Sequence, residues 1–267
     1  MYQFNYVKPK SLAEASRLLA ANAEAKLLAG GMTLLPTLKL RLARPTHLVD
    51  IARLPELRGI ASKGGKVVIG AGMKHHEVAT SAVVKKAIPA LAALASEIGD
   101  PQVRNRGTIG GSVASNDPAA DYPSAVLGLG ATVVTTKREI AADKYFKGLF
   151  TTALEEGEIV VRIEFPLPKR AAYMKFPHPA SGYAMTGVFV AQMPDGVRVA
   201  VTGAGPGVFR WKEAEVALAK DFKPAALEGV KLNSSEFNSD IHADRDYRAN
   251  LVRVMAKRAL AKLSGKK

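Results

Sequence analysis

The sequence contains no cysteine. Disulfides, thiolate metal sites and cysteine-ligated iron–sulfur clusters are therefore excluded from this chain, and electrons passing through it need an organic cofactor or a partner's centre. Aromatic residues make up only 6%. No run of about 18 apolar residues occurs, so no membrane span is expected. Met1 to Tyr6 lack the basic-then-apolar order of a secretory signal, and a cytoplasmic location is the expectation. Acidic residues are scarce, 24 against 38 basic ones, for a net charge of +14. Such an excess favours polyanions, anionic ligands or an acidic partner, or is simply a basic solvated surface. The basic residues are spread along the chain with no recognisable nucleic-acid module, which argues against nucleic acid.

What is present is ordinary for a globular chain: 267 residues, 48% hydrophobic and 23% charged, enough for one large domain or two modest ones. Ser11 is placed to cap a helix reaching Asn22, with Leu12, Ala15, Leu18 and Leu19 on one face. Lys26 to Ala29 reads as a strand ending in Gly30-Gly31. Thr33 then opens a second helix, and His47 to Asp50 is another strand. Ile60 to Ile69 reads as a hairpin turning at Gly64-Gly65. Helices are expected over Lys74 to Ala79, Ala87 to Ile98 and Asp121 to Leu129, and strands over Ala131 to Thr135 and Glu158 to Phe165. Between them, Gly99 to Pro118 reads as a long polar, glycine-rich loop. Pro166 to Arg170 is the candidate boundary. Beyond it an antiparallel pair, Thr186 to Gln192 and Gly196 to Gly203, precedes helices over Phe209 to Lys220 and Pro224 to Val230. A C-terminal helix presents Leu251, Val254, Met255 and Ala259 on one face.

Two short stretches share one grammar. Ala29-Gly30-Gly31-Met32-Thr33 follows a strand, and Thr108-Ile109-Gly110-Gly111-Ser112 lies in the polar passage. Adjacent glycines let successive N–H groups turn toward one point and form an anion nest, to which a helix N-terminus and hydroxyl donors add. Each stretch alone is equally well a tight turn; two in one region suggest nests facing one diphosphate. Neither is a P-loop or a Rossmann fingerprint. His75-His76 invites a metal reading, but adjacent side chains point apart, and both are read as surface residues. Arg104 and Arg106 are candidates for phosphate, a partner surface or solvent.

Ala29 to Pro36, Leu40 to Ile51, Gln102 to Ser112 and Asn116 to Pro123 together resemble the FAD-binding medium subunit of molybdenum hydroxylases. That family includes aerobic-type carbon monoxide dehydrogenase, and the same module lies inside xanthine dehydrogenase. The resemblance implies an α+β fold of the vanillyl-alcohol-oxidase (PCMH) type. It would have two FAD-binding lobes, about residues 1–55 and 56–167, and a C-terminal domain over 168–267 with a three-stranded antiparallel sheet and helices. It implies that Ala29, Gly30, Gly31, Met32 and Thr33, with Thr108, Ile109, Gly110, Gly111 and Ser112, bind the FAD diphosphate. Asp121 would contact the cofactor's polar chain, Val160 pack near the flavin, Lys175 lie near its polar edge and Tyr183 close one face.

Each of these residues also has a plainer role. Asp121 can cap a helix, Val160 can be core, Lys175 a solvated strand-edge lysine and Tyr183 an apolar anchor. Met32 stands where the family often has a polar residue; a nest works through backbone N–H groups and tolerates the change. The implied partners are a small iron–sulfur subunit and a large molybdopterin subunit, in a heterotrimer or its dimer. No catalytic side chain and no metal ligand is implied here, because the flavin carries the redox work. The alternatives are a stand-alone flavin oxidoreductase of the same fold and a non-enzymatic basic polyanion-binding protein.

Overall fold

The structure, a computed structural model, describes residues 1–265. The N-terminal lobe contains β1 (Asn5–Val7), α1 (Leu12–Ala21), β2 (Lys26–Leu28), α2 (Leu34–Lys39) and β3 (His47–Asp50). Its strands form a parallel sheet in the order β1-β3-β2. Ser11 caps α1, its Oγ accepting from the Glu14 N–H at 3.2 Å. Thr33 sits at the start of α2, but its side chain makes no capping bond.

The second lobe opens with the hairpin β4 (Ile60–Lys63) and β5 (Lys66–Gly70), where Gly64 and Gly65 take φ of 58° and 72° as a tight two-residue turn requires. Helices α3 (His75–Thr80), α4 (Ala82–Ala87) and α5 (Pro89–Ser96) follow. The passage expected to be a loop instead contains α6 (Pro101–Arg104) and α7 (Ile109–Ser115). The physical reason is capping. Asp100 accepts from the Val103 N–H at 2.8 Å, and Thr108 Oγ1 accepts from the Gly111 N–H at 3.2 Å. The glycines of α7 hide its helical periodicity. Next come α8 (Tyr122–Gly128), β6 (Thr132–Thr135), β7 (Glu139–Ala141) and α9 (Ala142–Tyr145), then the small hairpin β8 (Phe146–Gly148) and β9 (Thr151–Thr152), and finally β10 (Val160–Pro166). The main antiparallel sheet runs β4-β5-β10-β6-β7.

The third sheet is antiparallel: β11 (Arg170–Pro177), β12 (Ala184–Met193), β13 (Gly196–Thr202) and the two-residue β14 (Phe209–Arg210). The expected three strands are its body, and β14 takes the start of the segment read as helical. Trp211 then precedes α10 (Lys212–Lys220), the segment from Pro224 forms only a 3-10 turn to Leu227, and α11 (Arg245–Leu263) closes the fold. Strand β12 is buried on both faces. Phe189, Ala191 and Met193 join the core of the preceding lobes, while Val188 and Val190 join a second core with Trp211, Val252 and Met255. The strand therefore lacks the polar alternation of a one-sided sheet. Helices α5 and α8 cover one face of this sheet and α10 and α11 the other.

One buried charge holds the strand that carries the site. The Glu158 carboxylate, with its side chain fully buried, accepts from Thr135 Oγ1 at 2.7 Å, from Arg138 Nε at 3.1 Å and from the Glu155 N–H at 2.7 Å. Burial pushes its pKa up, but these donors outweigh burial and hold it at about 2. The sign follows: its stabilisation is complete above its unfolded pKa and is lost as pH falls toward 2. Glu158→Gln is expected to cost about 2 kcal/mol at pH 7. In denaturant titrations at several pH values, the gap from wild type should close on acidification; a gap independent of pH would contradict this account.

Candidate functional site

A cavity of about 710 Å³ runs between the lobes. Ala29, Gly30, Gly31, Met32, Thr33, Thr108, Gly110, Gly111, Ser112, Asp121, Val160 and Tyr183 all line it; Ile109 and Lys175 do not. Ile109 is fully buried in the core.

The two glycine stretches play different parts. In the first, Gly31 takes φ of 75°, and the N–H groups of Gly30, Gly31, Met32 and Thr33 have no protein acceptor among the described residues. This is an open nest. Met32 lines the cavity and is 37% exposed. The second stretch is no nest. The Ile109 N–H donates to the Met73 carbonyl at 3.0 Å and Gly110 N–H to Ala71 at 2.9 Å. Gly111 N–H goes to Thr108 Oγ1 and Ser112 N–H to the Thr108 carbonyl, so this stretch spends its amides internally. Its glycines serve close approach instead. A Cβ on Gly110 would lie 2.4 Å from the Ala71 Cβ, whereas one on Gly111 would meet only Thr108 Oγ1, so Gly111 presents bare backbone to the cavity.

The stretches are locked together. A Cβ on Gly30 would lie 2.2 Å from the Arg106 carbonyl oxygen and 2.8 Å from the Gly107 Cα. A Cβ on Gly107 would in turn lie 2.4 Å from His75 Nε2. At Gly30 the two stretches meet backbone to backbone.

Asp121 lines the cavity but is 3% exposed. Its Oδ1 accepts from the Tyr173 hydroxyl at 2.6 Å and pairs with Lys175 Nζ at 3.0 Å. Burial pushes this carboxyl up, against the pull of Lys175 and Tyr173. Lys175 also donates to the carbonyls of Glu97 and Gly182, at 2.8 and 2.9 Å. Its three donors are thus spent on protein acceptors, and its buried side chain is paired with Asp121 rather than solvated. Arg104 Nη1 donates to the Ile98 and Gly99 carbonyls, at 3.0 and 2.9 Å. Asp117 to Asp121 is strapped to the third sheet: the Thr202 hydroxyl shares its one proton between the Ala120 and Pro118 carbonyls, at 2.7 and 2.9 Å, and Ala184 N–H donates to the Ala119 carbonyl.

Several cavity residues were not singled out from sequence, among them Lys26, Leu27, Thr37, Val103, Phe150 and Ser181. His75 corrects the surface reading directly. It is 5% exposed and lines the cavity, while His76 is exposed. No neighbour in the sequence signals this, because the ring packs on the bare backbone of Gly107. Burial, and secondarily the charge of Arg104, lower the His75 pKa to about 4, so the ring is neutral at pH 7.

An open amide nest, a bare-backbone face at Gly111, hydroxyls at Thr33, Thr108 and Ser112, and apolar walls such as Leu27, Ile51 and Val160 suit a long ligand with an anionic middle and aromatic ends. The site is thus that of a dinucleotide-binding flavoprotein, and the comparisons give the class. Residues 2–168 match the family described as the FAD binding domain in molybdopterin dehydrogenase. The chain is 38% identical to the carbon monoxide dehydrogenase medium chain of Hydrogenophaga pseudoflava, over 97% of this chain and 96% of that one. It is 34% identical to the glyceraldehyde dehydrogenase medium chain of Sulfolobus acidocaldarius, over 98% and 99%. Among solved structures, reconstituted CO dehydrogenase from Oligotropha carboxidovorans superposes with a TM-score of 0.93 at 32% identity, covering 100% of this chain and 99% of that chain. Quinoline 2-oxidoreductase from Pseudomonas putida 86 gives 0.89 at 30% identity, covering 98% and 96%. The chain belongs to the FAD-binding medium-chain family of molybdopterin dehydrogenases; it is an FAD-binding oxidoreductase subunit of the molybdenum hydroxylase type.

A pH dependence follows from His75. Its folded pKa lies below its unfolded one, so folding stability falls as pH drops from 6.5 toward about 4 and then levels. A shift of that size corresponds to about 3 kcal/mol. Denaturant unfolding between pH 7 and pH 4 should show that this loss shrinks in His75→Gln; an unchanged slope would contradict the assignment.

Proposed function

We propose that this chain is the flavin relay of a larger complex. It takes electrons from the iron–sulfur clusters of a small partner subunit and passes them to an external acceptor, while substrate is oxidised on a large molybdopterin subunit. The chain has no cysteine and so brings no cysteine-ligated cluster of its own. Its relatives carry the printed names of medium chains and of a dehydrogenase complex subunit, which supports a multi-subunit setting. We place the assembly, a heterotrimer or its dimer, in the cytoplasm, and the division of this chain at 167/168, one residue before the family match ends at 168.

The observation that carries the reading is the open nest at Gly30 to Thr33, which lines one cavity together with the bare backbone of Gly111. The four N–H groups would hold the diphosphate. Thr33 and Ser112 would add hydroxyl donors, and Gly111 would give way to the cofactor's chain. Asp121, fixed by Tyr173 and Lys175, would accept hydrogen bonds from the polar chain. Lys175 is then a positioning residue rather than a direct contact. Val160, with Ile159, would pack on the ring system, and Tyr183 would limit solvent at the mouth. Bound FAD supplies the one- and two-electron chemistry that these side chains lack.

The purified chain or complex should release FAD, one per chain, on denaturation; FMN, or no flavin, would overturn the reading. Gly30→Ala forces apart the contact with Arg106. Overpacking of this kind costs about 1–3 kcal/mol, so FAD affinity should fall roughly ten- to hundredfold. Equilibrium titration of the apoprotein with FAD measures it, and wild-type affinity would contradict the role given to this contact.

A further inference from the structure

A buried polar ring that bonds to nothing needs a reason to be where it is. His75 is such a ring: it lines the cofactor cavity, and its Nδ1 is sealed from solvent with no hydrogen-bond partner among the described residues. The Tyr122 ring lies 5.3 Å away between centroids, and its hydroxyl is likewise buried and unpaired. Apolar side chains of similar volume would fill this space without leaving polar atoms bare. Packing alone therefore does not account for His75.

The chain also makes room for the ring. The His75 N–H donates to the Gly107 carbonyl at 3.0 Å and holds the start of α3 on that residue. The Nε2–Cδ2 edge of the ring takes the place of the missing side chain: a Cβ on Gly107 would lie 2.4 Å from Nε2 and 2.8 Å from Cδ2. Gly107 has no positive φ, so space rather than backbone conformation requires glycine there. Gly107 is also the residue that Gly30 touches. The imidazole edge and the first glycine loop thus meet on one residue, and both line the cavity.

The neutral ring carries one proton. Nδ1 is sealed, whereas Nε2, which has no protein partner either, is not. A sealed N–H is costlier than a sealed lone pair, so the proton belongs on Nε2, at the edge beside Gly107. A neutral N–H can bond an anion without a second buried charge having to be desolvated.

We propose that His75 is a further cofactor-contacting residue, whose Nε2–H donates over the bare backbone of Gly107 to the diphosphate held by the Gly30 to Thr33 amides. The inference rests on that cavity holding FAD. It gives the diphosphate a side-chain donor from the second lobe beside the backbone donors of the first, so the anion ties the lobes together where Gly30 meets Gly107. No proton is transferred; the imidazole stays a neutral donor.

The test uses the full chain labelled with ¹⁵N-histidine, free and saturated with FAD at pH 7. Long-range ¹H–¹⁵N correlation separates the protonated ring nitrogen from the bare one, and His75→Gln identifies the His75 signals by their loss. The proton is expected on Nε2 in both states, and the Nε2–H resonance should move downfield with FAD, as an N–H does on donating to an anion. In titrations with FAD, His75→Leu, which keeps the bulk and removes the donor, should weaken binding about tenfold or more, the size of one hydrogen bond to a charged group. His75→Gln, which puts an N–H back near the Nε2 position, should recover most of that loss. A proton on Nδ1, an Nε2–H resonance indifferent to FAD, wild-type affinity in His75→Leu, or His75→Gln as weak as His75→Leu would each overturn the proposal. The spectra are those of the wild-type chain and decide the matter even where a variant does not fold. A chain that binds no FAD fails the cofactor reading first; one that binds FAD but gives any of these four results fails this inference alone.

Discussion

The site depends on one steric constraint, the approach of Gly30 to the backbone of Arg106 and Gly107. No side chain fits between them. The contact holds the first loop against the segment before α7, and the amides of this cavity-lining loop meet no protein acceptor among the described residues. The constraint propagates, because Gly107 packs on the ring of His75 and Gly110 on Ala71. Three close approaches thus hold the first glycine loop, the Arg106 to Gly110 segment, His75 at the start of α3 and Ala71 just past β5 against one another. Interiors packed at this density do not yield to an added methyl group without moving something else.

A second constraint ties the third sheet to the same cavity. Asp121, Tyr173 and Lys175 form a buried polar cluster in which each member is hydrogen-bonded. Burying a charge pair costs much of what its attraction returns, so its contribution is to geometry more than to stability. Lys175 and Tyr173 lie on β11, and Asp121 just precedes α8. The cluster therefore fixes β11 against the cavity wall. Strand β12, buried on both faces, is where the two hydrophobic cores meet.

Much of this was legible in the residues. Gly30-Gly31 after a short apolar strand announced a turn with free amides, and Ser11 is a cap of ordinary kind; the caps at Asp100 and Thr108 lie in the passage read as a loop. What the residues hid was the use of Gly110-Gly111. The same pair of letters makes an open nest in one place and a tightly packed helix start in the other. Only tertiary partners, here the Met73 and Ala71 carbonyls, decide which. His75 and Lys175 misled for a related reason. Polar side chains read as solvated when their burial depends on glycines or carbonyls distant in sequence, as with Gly107 for His75 and Glu97 for Lys175. The left-handed backbone at Phe150 leaves no trace in its own identity; it comes from Asn116, far away along the chain.

The asymmetry between the two glycine stretches is the central claim, and amide hydrogen exchange resolved by residue, with and without FAD, tests it most directly. The account predicts that FAD strongly slows exchange at Gly30 to Thr33 and leaves Ile109 to Ser112 nearly unchanged, since the latter amides are already bonded within the protein. Protection gained at Ile109 to Ser112 with none at Gly30 to Thr33 would contradict it.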